Sequence, residues 1–219
     1  MAVTCVLSNH YKYQKDKGEI DLSADTIKVL LMRTGFVFDK DIHATRKNLK
    51  GTITRTDISF VVSGKHILST AGDFVAAGFV PGGKITVSGS ASNDGTLTLV
   101  TVAAGDITVS EAVVSEGEGA SITITGADEL ATGNGYTQDT KVLTNQVLTE
   151  DDTNDRSELT CDDVDWTAGG GSIGPTPGAM LIDDSTSDDT IIGFINFGAE
   201  QTAIDGTHLT ITNIKLRNS

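Results

Sequence analysis

Short alternations of apolar and polar residues, separated by acidic or glycine-rich turns, run through residues 133–196 of this 219-residue chain. Alternation with a period of two is typical of β-strands that bury one face. The stretch also contains the single tryptophan, Trp166, together with two of the three prolines. It predicts a sheet at the centre of a domain and constrains the fold more than any other part of the chain.

The N-terminal segment predicts one short helix followed by a buried strand. Ser8 is a favoured helix N-cap residue, and Gly18 suits the left-handed backbone that often ends a helix. Residues 26–32 form a β-branched, apolar run that predicts a strand, entered through a turn at 23–25.

Residues 52–126 differ in composition, with more Gly, Ser and Thr and few aromatic residues. Regular alternation predicts four short strands, at 84–89, 96–102, 106–111 and 121–126. Asn-Asp-Gly at 93–95 predicts a hairpin turn, Ala-Gly-Asp at 104–106 predicts a second tight reversal, and 72–83 favours a single helical turn. This segment is predicted to form a small β-barrel or β-sandwich.

After residue 126 the amino-acid composition is again like that of residues 1–51. Strands are predicted at 141–151 and 156–168, the second with a bulge near 162–163 that keeps Leu159, Cys161, Val164 and Trp166 facing inward. Residues 169–178 are rich in Gly and Pro and predict a loop or an edge. A hairpin around the acidic turn 183–189 and a final strand at 208–217, with one slip in its alternation, complete the pattern.

The two flanking segments share one composition and the middle segment has another, so the sequence predicts a discontinuous domain. Residues 1–51 and 127–219 would form a β-sandwich-like or barrel-like domain with one short N-terminal helix, and residues 52–126 would be a small β domain inserted into one of its surface loops. Insertions are tolerated where the two ends of a loop lie close together. The predicted fold class is therefore mainly β.

Charge and composition exclude several functions. Thirty acidic and sixteen basic residues give a net charge of −14, which repels phosphate backbones and anionic lipids. No stretch approaches the roughly 18 apolar residues of a membrane helix, and residues 1–14 lack the pattern of a secretory signal. We therefore expect a soluble protein, made in a reducing cytoplasm, that binds neither nucleic acid nor membrane. Cys5 and Cys161 are interpreted as small buried hydrophobic residues rather than a disulfide.

No catalytic, cofactor or metal motif is found in the sequence. The acidic clusters at 151–155, 162–165 and 183–189 lack the glycine and distal glutamate of a calcium-binding loop, and are interpreted as solvated turns that protect sheet edges. The histidines at 10, 43, 66 and 208 show no metal-ligand spacing. Trp166, Phe194 and Phe197 are interpreted as core residues. We expect no enzyme activity, no catalytic residue and no cofactor, metal or small-molecule substrate.

Both flanking segments resemble a widespread family of small virion proteins of tailed bacteriophages. The resemblance lies in a short helix followed by Gly18, Ile20, Asp21, Asp25, Ile27, Lys28, Val29 and Leu31, in Asn134-Gly-Tyr-Thr137, and in Asp162-Asp-Val-Asp-Trp166. One departure is Asp165, where the family usually has Thr before Trp. The middle segment resembles a separate small β module of phage head and tail proteins.

The resemblance implies a structural role in the virion. The expected role is that of a capsid decoration or cement protein on the capsid exterior, with the major capsid protein and copies of itself, in a trimer for example, as partners. Sheet edges, loops and the N-terminal arm at residues 1–9, pairing as a strand with a neighbour, would supply the contacts. Two alternatives stay open: a tail, head–tail adaptor or fibre-base component, and a host-surface binding module.

Overall fold

Sheet dominates the computed structural model, which describes residues 4–218. Those residues contain sixteen strands and two helices, so the chain is a mainly β protein with several antiparallel sheets, as its alternation predicts. It divides into two compact units. The discontinuous unit comprises the chain up to Thr45 and from Glu129 onward, and the inserted unit comprises Arg46–Asp128.

The main sheet of the discontinuous unit has four antiparallel strands in the order β1, β14, β13, β2. These strands are β1 (Thr4–Leu7), β2 (Ile27–Leu31), β13 (Ile173–Asp183) and β14 (Thr190–Ala203). β13 and β14 form the predicted hairpin around the acidic turn, and β2 is the strand predicted within 26–32.

The proline-containing start of β13 is the edge that the sequence predicts. Pro175 and Pro177 lie in β13, whose pairing with β2 begins only at Ala179. Before that point β13 pairs with β14 alone among the described strands, through an irregular register. Because proline donates no backbone hydrogen bond, this half-edge position accommodates both residues.

The predicted helix is α1 (Asn9–Asp16). The Ser8 hydroxyl accepts a hydrogen bond from the Tyr11 N–H at 3.1 Å, as an N-cap should. Gly18 follows the helix with φ of 76°, the left-handed conformation that glycine adopts without strain. Tyr11, whose N–H is capped, lies in the first turn of the helix and is fully buried in the core. The cap and the burial of Tyr11 therefore fix the same end of α1.

Two further sheets come from segments that the sequence predicts as single strands. β11 (Arg156–Thr160) and β12 (Val164–Thr167) replace the bulged strand 156–168, and β15 (His208–Ile211) and β16 (Lys215–Asn218) replace the strand 208–217. β11 lies between β16 and β10 (Val147–Asp151), whereas β12 pairs with β15. The single-strand interpretation was wrong at both places, and the strand predicted over 141–151 is confined to its last five residues.

The two breaks lie opposite each other. The Asn213 N–H donates to Asp163 Oδ1 at 3.1 Å, and Asn213 has φ of 55°. Residues 156–167 and 208–218 therefore pass from one sheet to the other at the same level: β11 pairs with β16 before the break, and β12 pairs with β15 after it. A slip in alternation marks either a bulge or the end of a strand, and here both slips mark ends.

The core of the discontinuous unit draws on all three of its sheets. Trp166, Leu181, Leu209 and Leu216 are buried in one cluster with Tyr11. Phe194 and Phe197 are also buried, which confirms the interpretation of Trp166, Phe194 and Phe197 as core residues.

The inserted unit is built on seven antiparallel strands in the order β3, β9, β6, β7, β8, β5, β4. Their bounds are β3 Thr52–Arg55, β4 Ile58–Val61, β5 His66–Ser69, β6 Lys84–Ser88, β7 Gly95–Ala103, β8 Asp106–Val109 and β9 Ile122–Gly126. β3 and β4 are at opposite edges, yet only Thr56 and Asp57 separate them in the chain. The sheet must therefore curl until its edges approach, around a core that includes Phe60, Phe74 and Ile124.

Turn predictions in the inserted unit had mixed outcomes. Ala104 and Gly105 link β7 to β8 as predicted, and the Ala77 N–H donates to the Asp73 carbonyl in the expected helical turn. The β6–β7 connection is a six-residue loop, 89–94, rather than a tight turn at 93–95. The side chain of Asn93 is buried there and exchanges two hydrogen bonds with the backbone of Val114, at 2.7 and 3.1 Å.

The ends of the inserted unit lie beyond the predicted limits 52–126. A helix that the sequence does not predict, α2 (Lys47–Lys50), precedes β3. The N–H of Gly126 donates to Gly51 at 2.8 Å, and the N–H of Asp128 donates to Leu49 at 3.4 Å. These bonds hold the two ends of the unit together. Neither helix in residues 4–218 is long and apolar enough to cross a membrane.

Leu181→Ala tests the core of the discontinuous unit. Leu181 is fully buried in the cluster that contains Trp166, so its truncation should lower the free energy of unfolding by about 2–5 kcal/mol. Urea unfolding followed by Trp166 fluorescence measures this unit specifically, because the chain has one tryptophan. Val147→Ala, at an exposed position, is the control and should change the free energy by less than about 0.5 kcal/mol. Equal effects of the two substitutions would contradict the assignment.

Candidate interaction surface

Acidic side chains at the described surface are mostly engaged with neighbours in the same unit. Glu158 accepts hydrogen bonds from Lys215 Nζ at 2.6 Å and Arg217 Nε at 2.8 Å, and these two donors lower the pKa of Glu158 to about 2. In the inserted unit, Asp57 accepts from Arg55, Ser69 and Ala71, which holds the pKa of Asp57 well below its usual range. Such carboxylates fix strands and turns.

The four histidines do not come together in a metal or catalytic site. His10, His66 and His208 each contact a different aspartate, Asp188, Asp106 and Asp165, at 2.7–2.8 Å. His43 is buried between Phe36 and Phe38, and burial lowers the pKa of His43. Within residues 4–218, no group of three or more His, Cys, Asp or Glu side chains is placed to hold a metal ion.

Cys5 and Cys161 are free thiols and both are partly buried. Burial raises the pKa of Cys5 to about 12, and burial with the nearby Asp162 and Asp163 raises the pKa of Cys161 to about 11. Both thiols stay protonated at neutral pH and are poor nucleophiles. They pack against the core of the discontinuous unit, as their interpretation as small hydrophobic residues predicts.

The Asn134-Gly-Tyr-Thr137 motif has a structural task. The Tyr136 hydroxyl is buried, donates to Glu129 Oε1 at 2.8 Å and accepts from the Leu31 N–H at 3.0 Å. Gly135 has φ of 94°, and a Cβ built on it would overlap the carbonyl oxygen of Thr167. The motif therefore ties the segment after Glu129 to the edge strand β2.

One edge of the main sheet is covered and the other is open. On the β2 side, the Leu130 N–H donates to Leu31 at 2.7 Å and the Val29 N–H donates to Lys141 at 2.9 Å. On the other side, β1 pairs with β14, and no backbone hydrogen bond within residues 4–218 reaches the outer side of β1. β1 is therefore the exposed edge of this sheet.

The register shows which backbone groups face outward from β1. The Ser8 N–H donates to the Ile192 carbonyl at 2.9 Å, so Val6, two residues earlier, is also in a hydrogen-bonded pair with its partner Phe194. The N–H and C=O groups of Cys5 and Leu7 then point away from the sheet. They are the groups with which an additional strand would pair.

An apolar groove of about 230 Å³ borders this edge. Val6, Phe36, Val37, Phe38, Pro177, Phe194 and Asn196 line it. Val37 is 79% exposed and Val6 is 41% exposed. The buried Phe194 ring forms the floor of the groove: Phe38 stacks on it and Phe36 packs against it at a tilt, with ring centroids 5.8 and 5.7 Å away. We call β1 and this groove the β1 surface.

A second exposed edge is less suited to binding an apolar strand. β10 exposes Val147 and Leu148, but the same strand continues into Glu150 and Asp151, and Asp152 follows. Charged residues on an edge strand disfavour pairing with another chain. Cys5, Val6 and Leu7 carry no charge, which distinguishes β1 from β10.

One sequence prediction stays a prediction here, and another needs correction. Thr4–Leu7 of the N-terminal arm pairs with β14 of its own chain on one side, so the expected pairing with a neighbouring subunit would have to use the open side of β1; residues 1–3 lie outside the described part. Asp183 was placed among solvated acidic turns, but it is fully buried at the end of β13. The other acidic residues of the three clusters are exposed or half-buried.

Sequence reasoning missed the groove. The run Phe36-Val-Phe38 was the available signal, because three consecutive large apolar residues outside a strand cannot all be buried by alternation.

Comparison of the chain with protein-family models, with curated proteins and with solved structures gave no match.

Gly135→Ala and Gly206→Ala test the packing of the motif. Both glycines have positive φ, 94° and 79°, so both substitutions incur the cost of a left-handed alanine, roughly 1–2 kcal/mol. A Cβ at Gly206 meets open space, whereas one at Gly135 overlaps Thr167. Gly135→Ala should therefore destabilise by more than about 4 kcal/mol, measured by urea unfolding. Similar losses for both variants would show that the Gly135 contact is unimportant.

Proposed function

We propose that this chain is a structural protein of a bacteriophage virion, a decoration or cement protein that binds the outside of the assembled capsid. The resemblance of both flanking segments to phage virion proteins supports the virion role. The observation that carries a binding role is the β1 surface, an uncharged open strand edge beside an apolar groove. The major capsid protein and further copies of this chain are the proposed partners.

The β1 surface fits an extended apolar segment of a capsid subunit. Such a segment would add to β1 as a fifth strand of the main sheet, using the outward N–H and C=O groups of Cys5 and Leu7. An apolar side chain of the same segment would occupy the groove between Val37 and Pro177. Backbone pairing gives affinity and the groove gives selectivity for the side chain.

A protein bound in this way stabilises the particle by mass action. A ligand that binds the assembled shell and not its dissociated subunits shifts the equilibrium toward the shell. This role needs no catalytic group. Carboxylates such as Glu158 and Asp57, which hold strands and turns together, are compatible with it.

The location and copy number in the intact virion test the proposed function. We expect a reconstruction of the phage that encodes this chain to show hundreds of copies on the outer capsid surface. Six or twelve copies in a ring at the tail would overturn the capsid assignment in favour of a tail or adaptor component. Absence from purified particles would overturn the virion role altogether.

Val37→Asp tests the β1 surface itself. Burying a valine contributes about 1.5–3 kcal/mol, so a charge at this position should weaken binding to purified empty capsids at least about ten-fold, measured by co-sedimentation. Ile204→Asp is the matched control, because Ile204 is 63% exposed and does not line the groove. Unchanged binding of Val37→Asp, with thermal stability like that of the wild type, would contradict this use of the groove.

A further inference from the structure

Asp183 is a fully buried carboxyl group that lacks a complete set of partners. Its Oδ1 accepts a hydrogen bond from the Ser185 N–H at 2.9 Å. Its Oδ2 is buried and has no hydrogen-bond partner among the described residues. An ionised carboxylate with an unpaired buried oxygen is costly, because nothing replaces the water that it loses.

A neighbouring carboxyl group, that of Asp25, could complete this set. Asp183 pairs with Ile27 in the register of β13 and β2, which brings the residues just before β2 next to it. The Asp25 side chain lies within hydrogen-bonding reach of Asp183. Asp25 is itself held in place, since its Oδ2 accepts from the Asp21 N–H at 2.6 Å and its carbonyl accepts from Gln146 at 3.1 Å.

The other charged groups around the pair have their own partners. They are Asp21 and Lys28 on the side of β2, Asp184, Asp188 and Asp189 in the turn after β13, and His10 on α1. Lys28 Nζ contacts Asp184 at 2.9 Å, His10 contacts Asp188 at 2.8 Å, and the Asp21 carboxylate accepts from Ser23 at 2.6 Å. No ion pair between a described basic residue and Asp25 or Asp183 is present to neutralise a second negative charge.

Two hydrogen bonds of the Thr26 backbone cross the junction at the same place. The Thr26 N–H donates to Ser185 Oγ at 2.8 Å, and the Asp184 N–H donates to the Thr26 carbonyl at 2.9 Å. They join the loop before β2 to the turn of the β13–β14 hairpin. Charge repulsion between Asp25 and Asp183 would act directly on these two bonds.

We propose that Asp25 and Asp183 share one proton, and that this proton locks the loop before β2 to the turn of the β13–β14 hairpin. In the protonated form, the Asp183 hydroxyl donates from Oδ2 to the Asp25 carboxylate, so the buried oxygen gains a partner. Loss of the proton leaves two adjacent negative charges and weakens the junction. The device is independent of the proposed function, and its failure would leave that function untouched.

The direction of the pH dependence follows from the buried group. Burial, with the neighbouring Asp25, raises the pKa of Asp183 from 3.8 to about 7. The folded chain then holds a proton that the unfolded chain releases near pH 4. The stabilisation is fully present below about pH 4 and is lost as the pH rises to about 7.

Thermal unfolding of the full chain and of Asp183→Asn at pH 5 and pH 8 tests the lock. The amide of Asn keeps a donor toward Asp25 and cannot ionise, so we expect the variant to melt about 5 °C above the wild type at pH 8. The advantage should be clearly smaller at pH 5. Asp152→Asn, in the exposed β10–β11 turn, is the matched control and should show no such pH-dependent difference.

Two further measurements keep the proposal falsifiable if Asp183→Asn folds poorly. Asp25→Asn removes the second charge and should also raise the melting temperature at pH 8 relative to the wild type. A carboxyl carbon of the wild type should titrate by NMR near pH 7. The proposal fails if both carboxyls titrate below pH 5, or if Ca²⁺ raises the wild-type melting temperature at pH 8 but not that of Asp183→Asn, since the pair would then be ionised.

Discussion

The antiparallel pairing of β13 with β14 is the interaction on which the discontinuous unit depends. β1 has β14 as its strand partner and β2 has β13, so neither outer strand has a place in the sheet without the central hairpin. The hairpin also presents Leu181 and Ile195 to the core shared with the smaller sheets. The turn of the hairpin sets the position of Asp183, and β14 borders the groove beside β1. The buried acid pair and the β1 surface therefore depend on the same two strands.

Local patterns predicted most strands but not their partners. Alternation identified β6, β8 and β9 nearly to the residue, because each buries one face of a single sheet. It failed at 161–163 and 212–214, where a slip has the same appearance whether a strand bulges or ends, and only the opposing segment decides which. α2 was missed because a four-residue helix with one buried apolar residue, Leu49, has no detectable period.

The candidate surface was only partly predictable for a related reason. A sheet edge is a property of strand order, which depends on long-range pairing, so β1 could be recognised as a strand-forming arm but not as the edge of its own sheet. The two edges of this sheet differ: residues 130 and 141 bond to β2, while β1 keeps outward backbone groups and itself carries no charged residue. Asp183 looked like a surface acid because aspartate is rarely buried without a partner.

The joined ends of the inserted unit have a consequence for how the chain can be altered. Because Gly51 and Gly126 are hydrogen-bonded and β3 pairs with β9, the two ends of the inserted unit lie side by side. Closing a loop across so short a gap costs little chain entropy, whatever length of folded chain lies inside it. Replacing residues 46–128 by a short peptide would therefore leave every strand pairing of the discontinuous unit in place, because none of the strands in its sheets comes from the insertion.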